Sequence, residues 1–174
     1  MRQKYCTLAQ HETQIIADAR CPMAVSLLRT HNTDKLFHIA DIEPILIHAA
    51  RELAQRGDLM DRPKLITTPC TSLATMGNAL SLKNTSFIAW NALLQQWNDF
   101  PPIHHTLDKS PIPPGFFDAN DICVKTVTGP DAIAAYSSSC PSGKEQLTEL
   151  LYCPDGCHNG DGVQFTGTIS GHLD

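Results

Sequence analysis

The sequence is poor in charged residues and has no long hydrophobic run. Charged residues make up 18% of the 174 positions, below the roughly 25% typical of globular domains. The longest apolar stretch, residues 44–50, is interrupted by His48 and is far shorter than the roughly 18 residues that span a bilayer. These absences exclude a membrane-spanning helix, and the 42% apolar content excludes wholesale disorder. We expect a soluble globular protein.

Arginine is absent after Arg62. The net charge of −5 lies entirely beyond that residue, where ten acidic residues face five lysines. An acidic, arginine-free surface repels phosphates, so the composition argues against nucleic acid or an anionic membrane as a partner. It leaves a protein or a small-molecule substrate, and nothing in the pattern indicates an oligomeric state.

Cysteine is abundant, with seven residues, an odd number. The segment Met1–Thr7 lacks the apolar core of a signal peptide, so we expect a cytoplasmic protein. In a reducing compartment its cysteines would be thiols, metal ligands or catalysts. The alternative is that a signal was removed, in which case Cys6 and Cys21 could be bridged.

The segment 35–80 has the clearest structural pattern. A short apolar run at 36–39 predicts a strand, Pro44 opens a helix that stops near Gly57, and residues 64–67 predict a second strand. A helix starting at Pro69, with Thr68 as its cap, follows. Alternation of strand and helix favours an α/β fold with both strands parallel in one sheet.

The whole chain, residues 1–174, is predicted to be a single α/β domain with a small, partly parallel sheet covered by helices and a loop-rich C-terminal third. A proline-rich loop at 101–115 separates a helical N-terminal part from a part rich in cysteine and glycine. The remaining expected elements are helices at 8–20, from Pro22, at 85–98 and at 142–151, and strands at 122–127 and 163–169.

Cys70 is the first candidate for chemistry. After a strand and in the first turn of a helix, its sulfur would lie where backbone N–H groups and the helix dipole stabilise a thiolate. The carboxyl ends of parallel strands are also where α/β sheets bind ligands. The candidate substrate-binding residues at this edge are Asp41, Glu43, Thr68, Thr71 and Ser72.

A nucleophilic cysteine needs a base. His104 and His105 in the proline-rich loop are the candidates, with Asp108 as the carboxylate that orients them. These residues predict a thiol-dependent enzyme of the acyl-transfer or hydrolysis type. The alternative for Cys70 is a small buried hydrophobic residue at a helix start.

The second candidate is a metal site near the C-terminus. Cys153 and Cys157 flank a Pro-Asp-Gly turn, and His158 is adjacent. Cys140 would be the fourth donor, with Cys123 and His172 as alternatives. Sulfur and nitrogen ligands suit zinc, so a zinc-stabilised module is one alternative to the enzyme. A non-enzymatic regulator or inhibitor that binds another protein, through a face carrying Trp90 and Trp97 or through the acidic half, is the other.

Overall fold

The computed structural model describes residues 1–31, 36–97, 114–118, 122–139 and 144–164. The chain divides into two compact units: unit 1 comprises residues 1–45 and 112–156, and unit 2 comprises 46–111 and 157–174. Each unit has a parallel sheet with helices beside it, so the predicted α/β class is confirmed. The single-domain organisation stays a prediction. Among the described helices, none is both long enough and apolar enough to cross a membrane.

The described elements follow one another in an alternating order. They are α1 (Arg2–His11), β1 (Ile15–Ala17), α2 (Pro22–His31), β2 (Phe37–Ile39), α3 (Ile45–Gln55), β3 (Lys64–Thr68), α4 (Thr71–Ala79), β4 (Thr85–Ala89), α5 (Trp90–Gln96), β5 (Val124–Thr128), α6 (Pro130–Ser138), β6 (Leu147–Leu151) and a short 3₁₀ turn (Cys157–Asn159).

Unit 1 is organised around a four-stranded parallel sheet in the order β2-β1-β6-β5. All five residues of β6 are buried, because this strand is central and both its faces are covered. One cluster of apolar side chains gathers around Tyr5 and Phe117, and a second around Leu28 and Ile133. The sheet also buries the polar residues Asp18, Thr148 and Glu149 in this apolar surrounding.

Unit 2 contains a two-stranded parallel sheet, β3 beside β4, with Ile66 opposite Phe87. One face of this sheet packs on α3 and α4 through a core that includes Ile47, Leu73 and Phe87. Gly77 on α4 lies so close to the Phe87 ring that an added Cβ would meet it at 2.4 Å. The absent side chain therefore lets α4 lie directly against the sheet.

Three segments expected to be helical are strands. The predicted helix at 8–20 ends at Glu12, whose backbone is extended, and Ile15–Ala17 forms β1. Thr85–Ala89 forms β4 before α5 begins at Trp90, and Leu147–Leu151 forms β6. Helical spacing of apolar residues was misleading, because strands of three to five residues are too short for their apolar positions to be distinguished from one turn of a helix.

The expectation that the strands at 36–39 and 64–67 share one sheet is wrong. Both segments are strands, but β2 pairs with β1 in unit 1 and β3 pairs with β4 in unit 2. The error follows from the previous one, since the true partner of each strand had been assigned to a helix. The helix starts at Pro22 and just after Pro44, and the strand near 122–127, are confirmed within one or two residues. Of the strand expected at 163–169, Val163 is in a turn and 165–169 lie outside the described residues.

Candidate functional site

Cys70 occupies the junction between β3 and α4. Its backbone is extended, and its sulfur accepts a hydrogen bond from the N–H of Leu73 at 3.4 Å. Cys70 is therefore the N-cap of α4, whereas Thr68, the expected cap, is the last residue of β3. The side chain is half-buried, so the sulfur combines a helix N-terminal position with partial access to solvent.

Thr68 fixes the loop that carries Cys70. Its hydroxyl donates to the carbonyl of Cys70 at 2.8 Å, and it also lies 3.4 Å from the carbonyl of Ile88 on β4. The residue is 2% exposed, so its hydroxyl is committed to the backbone. In this structure Thr68 positions the cysteine, and its role in binding a substrate stays a prediction.

Asp161 binds the first residue of α4, next to Cys70. Its Oδ1 accepts the backbone N–H of Thr71 at 3.1 Å, and its Oδ2 accepts the hydroxyl of the same residue. The N–H of Gly162 in turn donates to the carbonyl of Pro69 at 3.0 Å. We call Gly160, Asp161 and Gly162 the glycine clasp.

Both glycines of the clasp allow close backbone contact. A Cβ on Gly160 would lie 2.3 Å from the carbonyl oxygen of Pro69, and one on Gly162 would lie 2.8 Å from the nitrogen of Cys70. Sequence reasoning missed the approach of Asp161 to Thr71, which lies 90 positions earlier in the chain. The one signal for it was the Gly-Asp-Gly triplet, which indicates a tight approach of the backbone.

His158 precedes the clasp by two residues. Its Nε2 lies 3.3 Å from the side-chain nitrogen of Asn159, and its buried Nδ1 has no hydrogen-bond partner among the residues that the structure describes. When the asparagine amide donates to Nε2, the proton of a neutral imidazole is on Nδ1. The ring then carries a buried donor that no group in the described part of the chain satisfies.

Several predicted site residues are not brought to Cys70 by any described contact. His104, His105, Asp108 and Cys140 lie outside the described residues. Asp41 and Glu43 follow β2 in unit 1, the former exposed and the latter half-buried. The shared sheet edge that linked these two acids to Cys70 does not exist, and a substrate-binding role for them stays a prediction. Ser72 is half-buried in the first turn of α4.

The predicted zinc ligands fall on both sides of a unit boundary. Cys153 belongs to unit 1, whereas Cys157 and His158 belong to unit 2. In the ranges that the structure describes, no three side chains among His, Cys, Asp and Glu are grouped closely enough to hold a metal ion. The zinc module stays a prediction.

Unit 1 contains a second polar cluster that the sequence did not reveal. Asp18 and Glu149 are fully buried, and Arg20 joins them with N–O distances of 2.7 Å and 2.5 Å. The guanidinium also stacks on the rings of Phe116 and Phe117. The sequence gives no sign of this cluster, because Glu149 is far from Asp18 and Arg20 in the chain and meets them only when β1 pairs with β6.

The pKa values in this cluster reflect burial and charge. Burial raises the pKa of the Asp18 carboxyl, and the neighbouring guanidinium of Arg20 only partly opposes that effect. Burial by itself lowers the pKa of Arg20, but the charges and hydrogen bonds of Asp18 and Glu149 outweigh burial, so the pKa of Arg20 is raised above its ordinary value. Burial and the charge of Asp18 raise the pKa of the Tyr5 hydroxyl above its ordinary value.

Comparisons with protein-family models, curated proteins and solved structures find no match to this chain. The function proposed for it therefore depends on the geometry around Cys70.

Proposed function

We propose that this protein is a thiol-dependent enzyme of the acyl-transfer or hydrolysis type, with Cys70 as its nucleophile. The observation that carries the proposal is the position of the sulfur, which caps α4 and accepts the N–H of Leu73. A helix N-terminus favours negative charge, and a hydrogen bond donated to sulfur favours the thiolate. The thiolate is the form of cysteine that attacks electrophiles.

The chemistry requires a base to accept the thiol proton. The sulfur then forms a bond to the substrate carbonyl carbon, and the leaving group departs with the proton. Water subsequently cleaves the thioester, restoring the thiol and releasing the acid. His158 is our candidate base, because it precedes the clasp that contacts Pro69 and Cys70; it would accept the proton at Nε2, the nitrogen that faces the Asn159 amide. His104 and His105 remain the alternatives.

Alkylation with iodoacetamide at neutral pH tests the nucleophile. Cys123 is exposed whereas Cys70 is half-buried, so accessibility alone would make Cys123 react faster. A stabilised thiolate at Cys70 reverses that order, and peptide mass spectrometry over time measures both rates in one sample. Slower labelling of Cys70 than of Cys123 would remove the enzyme proposal.

Two variants sharpen the measurement. His158→Ala should slow the labelling of Cys70 and leave that of Cys123 unchanged if His158 is the base. Cys123→Ser is the matched control, since it removes a competing thiol and should not alter the rate at Cys70. An unchanged rate at Cys70 in His158→Ala would transfer the role of base to His104 or His105.

A protein-binding regulator or inhibitor is the second candidate function. On the predicted face of Trp90 and Trp97, Trp97 is 55% exposed, and an apolar side chain at the surface can contact a partner. Cys70→Ser separates the two candidates, because it abolishes a thiol-dependent reaction and leaves such a surface intact.

The zinc module has a direct test of its own. About one zinc per chain in protein purified without added metal would support it, and unchanged melting after chelation would remove it.

A further inference from the structure

The first N–H group of α4 is bound to a carboxylate from another part of unit 2. The N–H of Thr71, the residue after Cys70, donates to Asp161 Oδ1 at 3.1 Å, and the Thr71 hydroxyl donates to Oδ2. A helix N-terminus favours an anion, because it carries unsatisfied N–H groups and a partial positive charge. The anion position next to the proposed nucleophile is therefore filled by the protein's own side chain.

A thiol-dependent reaction needs a hydrogen-bond donor at this position. When the sulfur forms its bond to a carbonyl carbon, the π electrons of the C=O bond move to the oxygen, which becomes an oxyanion. Where a nucleophile lies between a strand and a helix, the N–H of the next residue commonly stabilises that oxyanion. In α4 the N–H of Leu73 is bound to the sulfur of Cys70 at 3.4 Å, so this role falls to Thr71 rather than to Leu73.

The Asp161 side chain can leave this position while the backbone of the clasp stays in place. Asp161 and Thr71 are both exposed, so rotation of the side chain exchanges two hydrogen bonds for contacts with water at little cost. The backbone has anchors of its own. The N–H of Gly162 donates to the carbonyl of Pro69 at 3.0 Å, and the side chain of Asn91 donates to the carbonyl of Asp161 at 2.7 Å. The carboxylate is thus a movable group on a fixed segment.

We propose that Asp161 is an autoinhibitory residue of the Cys70 site: its carboxylate occupies the Thr71 N–H, the oxyanion donor, and must rotate away before a substrate carbonyl can bind there. This inference rests on the proposed function, because it assigns regulation to the same nucleophile. In the released state the Thr71 N–H binds the substrate carbonyl oxygen, the sulfur bonds to the carbonyl carbon, and the leaving group departs with the thiol proton.

Hydrolysis of p-nitrophenyl acetate, followed by the absorbance of p-nitrophenolate, tests the proposal. Asp161→Ala removes the blocking carboxylate and should raise the Cys70-dependent rate by about tenfold or more, because one oxyanion donor contributes a factor of about 100 or more. Asp161→Asn keeps an oxygen acceptor for the Thr71 N–H and should stay close to the wild type. Asp58→Ala removes an exposed carboxylate of the same unit, paired with Arg56, and is the control that should not change the rate.

Alkylation of Cys70 by iodoacetamide separates two effects of the carboxylate. Displacement of iodide by the thiolate forms no oxyanion, so a released Thr71 N–H does not accelerate this reaction through oxyanion binding. Asp161→Ala should therefore raise the rate of ester hydrolysis by a much larger factor than the rate of alkylation. Equal acceleration of the two reactions would overturn the proposal, because it would show that Asp161 acts only through its charge on the thiolate.

Cys70→Ser distinguishes failure of this inference from failure of the proposed function. Hydrolysis that depends on Cys70 but is not faster in Asp161→Ala would overturn the autoinhibitory role alone. If the wild type and Asp161→Ala are both no faster than Cys70→Ser, the enzyme proposal falls and this inference falls with it.

If Asp161→Ala does not fold, Thr71→Ala replaces it. This variant keeps the backbone N–H and removes the hydroxyl that holds Oδ2 of Asp161, so the carboxylate is held less firmly. Hydrolysis should rise in the same direction by a smaller factor, and an unchanged or lower rate would contradict the proposal.

Discussion

Asp161 in unit 2 and Glu149 in unit 1 are both carboxylates that accept backbone N–H groups from a distant part of the chain. Asp161 is exposed and holds the start of α4 beside Cys70. Glu149 is fully buried, is paired with Arg20 and holds the turn at 114–118. The same hydrogen bond serves a surface cap in one unit and a buried charge cluster in the other. We expect the loss of this hydrogen bond to cost more free energy of unfolding at Glu149 than at Asp161, because water can replace the lost partner only at the surface.

Arg20→Ala should be the most damaging substitution, because it leaves two carboxylates buried without their cation. Removing one partner of a buried ionic cluster costs about 3–5 kcal/mol. Chemical denaturation followed by far-UV circular dichroism measures the loss. Arg56→Ala removes an exposed pair with Asp58 and should leave the unfolding midpoint unchanged. Similar losses in both variants would show that burial does not distinguish the two kinds of ion pair.

Gly162→Ala tests the close contact in unit 2. The new methyl group would lie 2.8 Å from the nitrogen of Cys70, and relieving such an overlap costs about 1–3 kcal/mol. Fluorescence of Trp90 and Trp97, both in unit 2, reports the unfolding of that unit. Gly57→Ala is the control, since nothing lies within 4 Å of its added Cβ. Equal midpoints for the two variants would mean that the clasp does not hold Cys70 in place.

Tyr5→Phe tests how the buried Tyr5 hydroxyl of unit 1 makes stability depend on pH. The hydroxyl of Tyr5 accepts the N–H of Ala19, so its removal costs about 1 kcal/mol at neutral pH. Because burial raises the pKa of Tyr5 in the folded protein, the unfolded chain alone releases that proton above about pH 10. The wild type should therefore lose stability there faster than the variant. Urea unfolding at pH 8 and pH 10.5 measures this, and parallel losses would contradict it.

Asp161→Asn should have the smallest effect. It keeps one oxygen acceptor for Thr71 and removes a charge near the N-terminus of α4, which changes stability by about 0.5–1 kcal/mol. The matched change in unit 1, Glu149→Gln, should cost more, because its amide would place a donor against buried donors. Urea midpoints for the pair give the comparison, and a larger effect at Asp161 would reverse it.

Local signals in the sequence predicted part of this architecture. Proline at a helix start located α2 and α3, and short apolar runs bounded by polar residues located β2 and β3. The position of Cys70 at a helix N-terminus followed from the same reasoning. What failed was the distinction between a buried strand and a helix at Ile15–Ala17, Thr85–Ala89 and Leu147–Leu151. The deciding interactions there are hydrogen bonds to other strands.

The sequence by itself thus determined the α/β class, the starts of α2 and α3 and the candidate nucleophile, because each depends on residues a few positions apart. The tertiary structure alone determined which strands share a sheet, that Asp161 reaches Thr71 and that Asp18, Arg20 and Glu149 form one buried cluster. Each of these contacts closes a loop of about 20 residues or more, or joins side chains only after strands have paired. Their free energy comes from burial and pairing that the local pattern of residues does not encode.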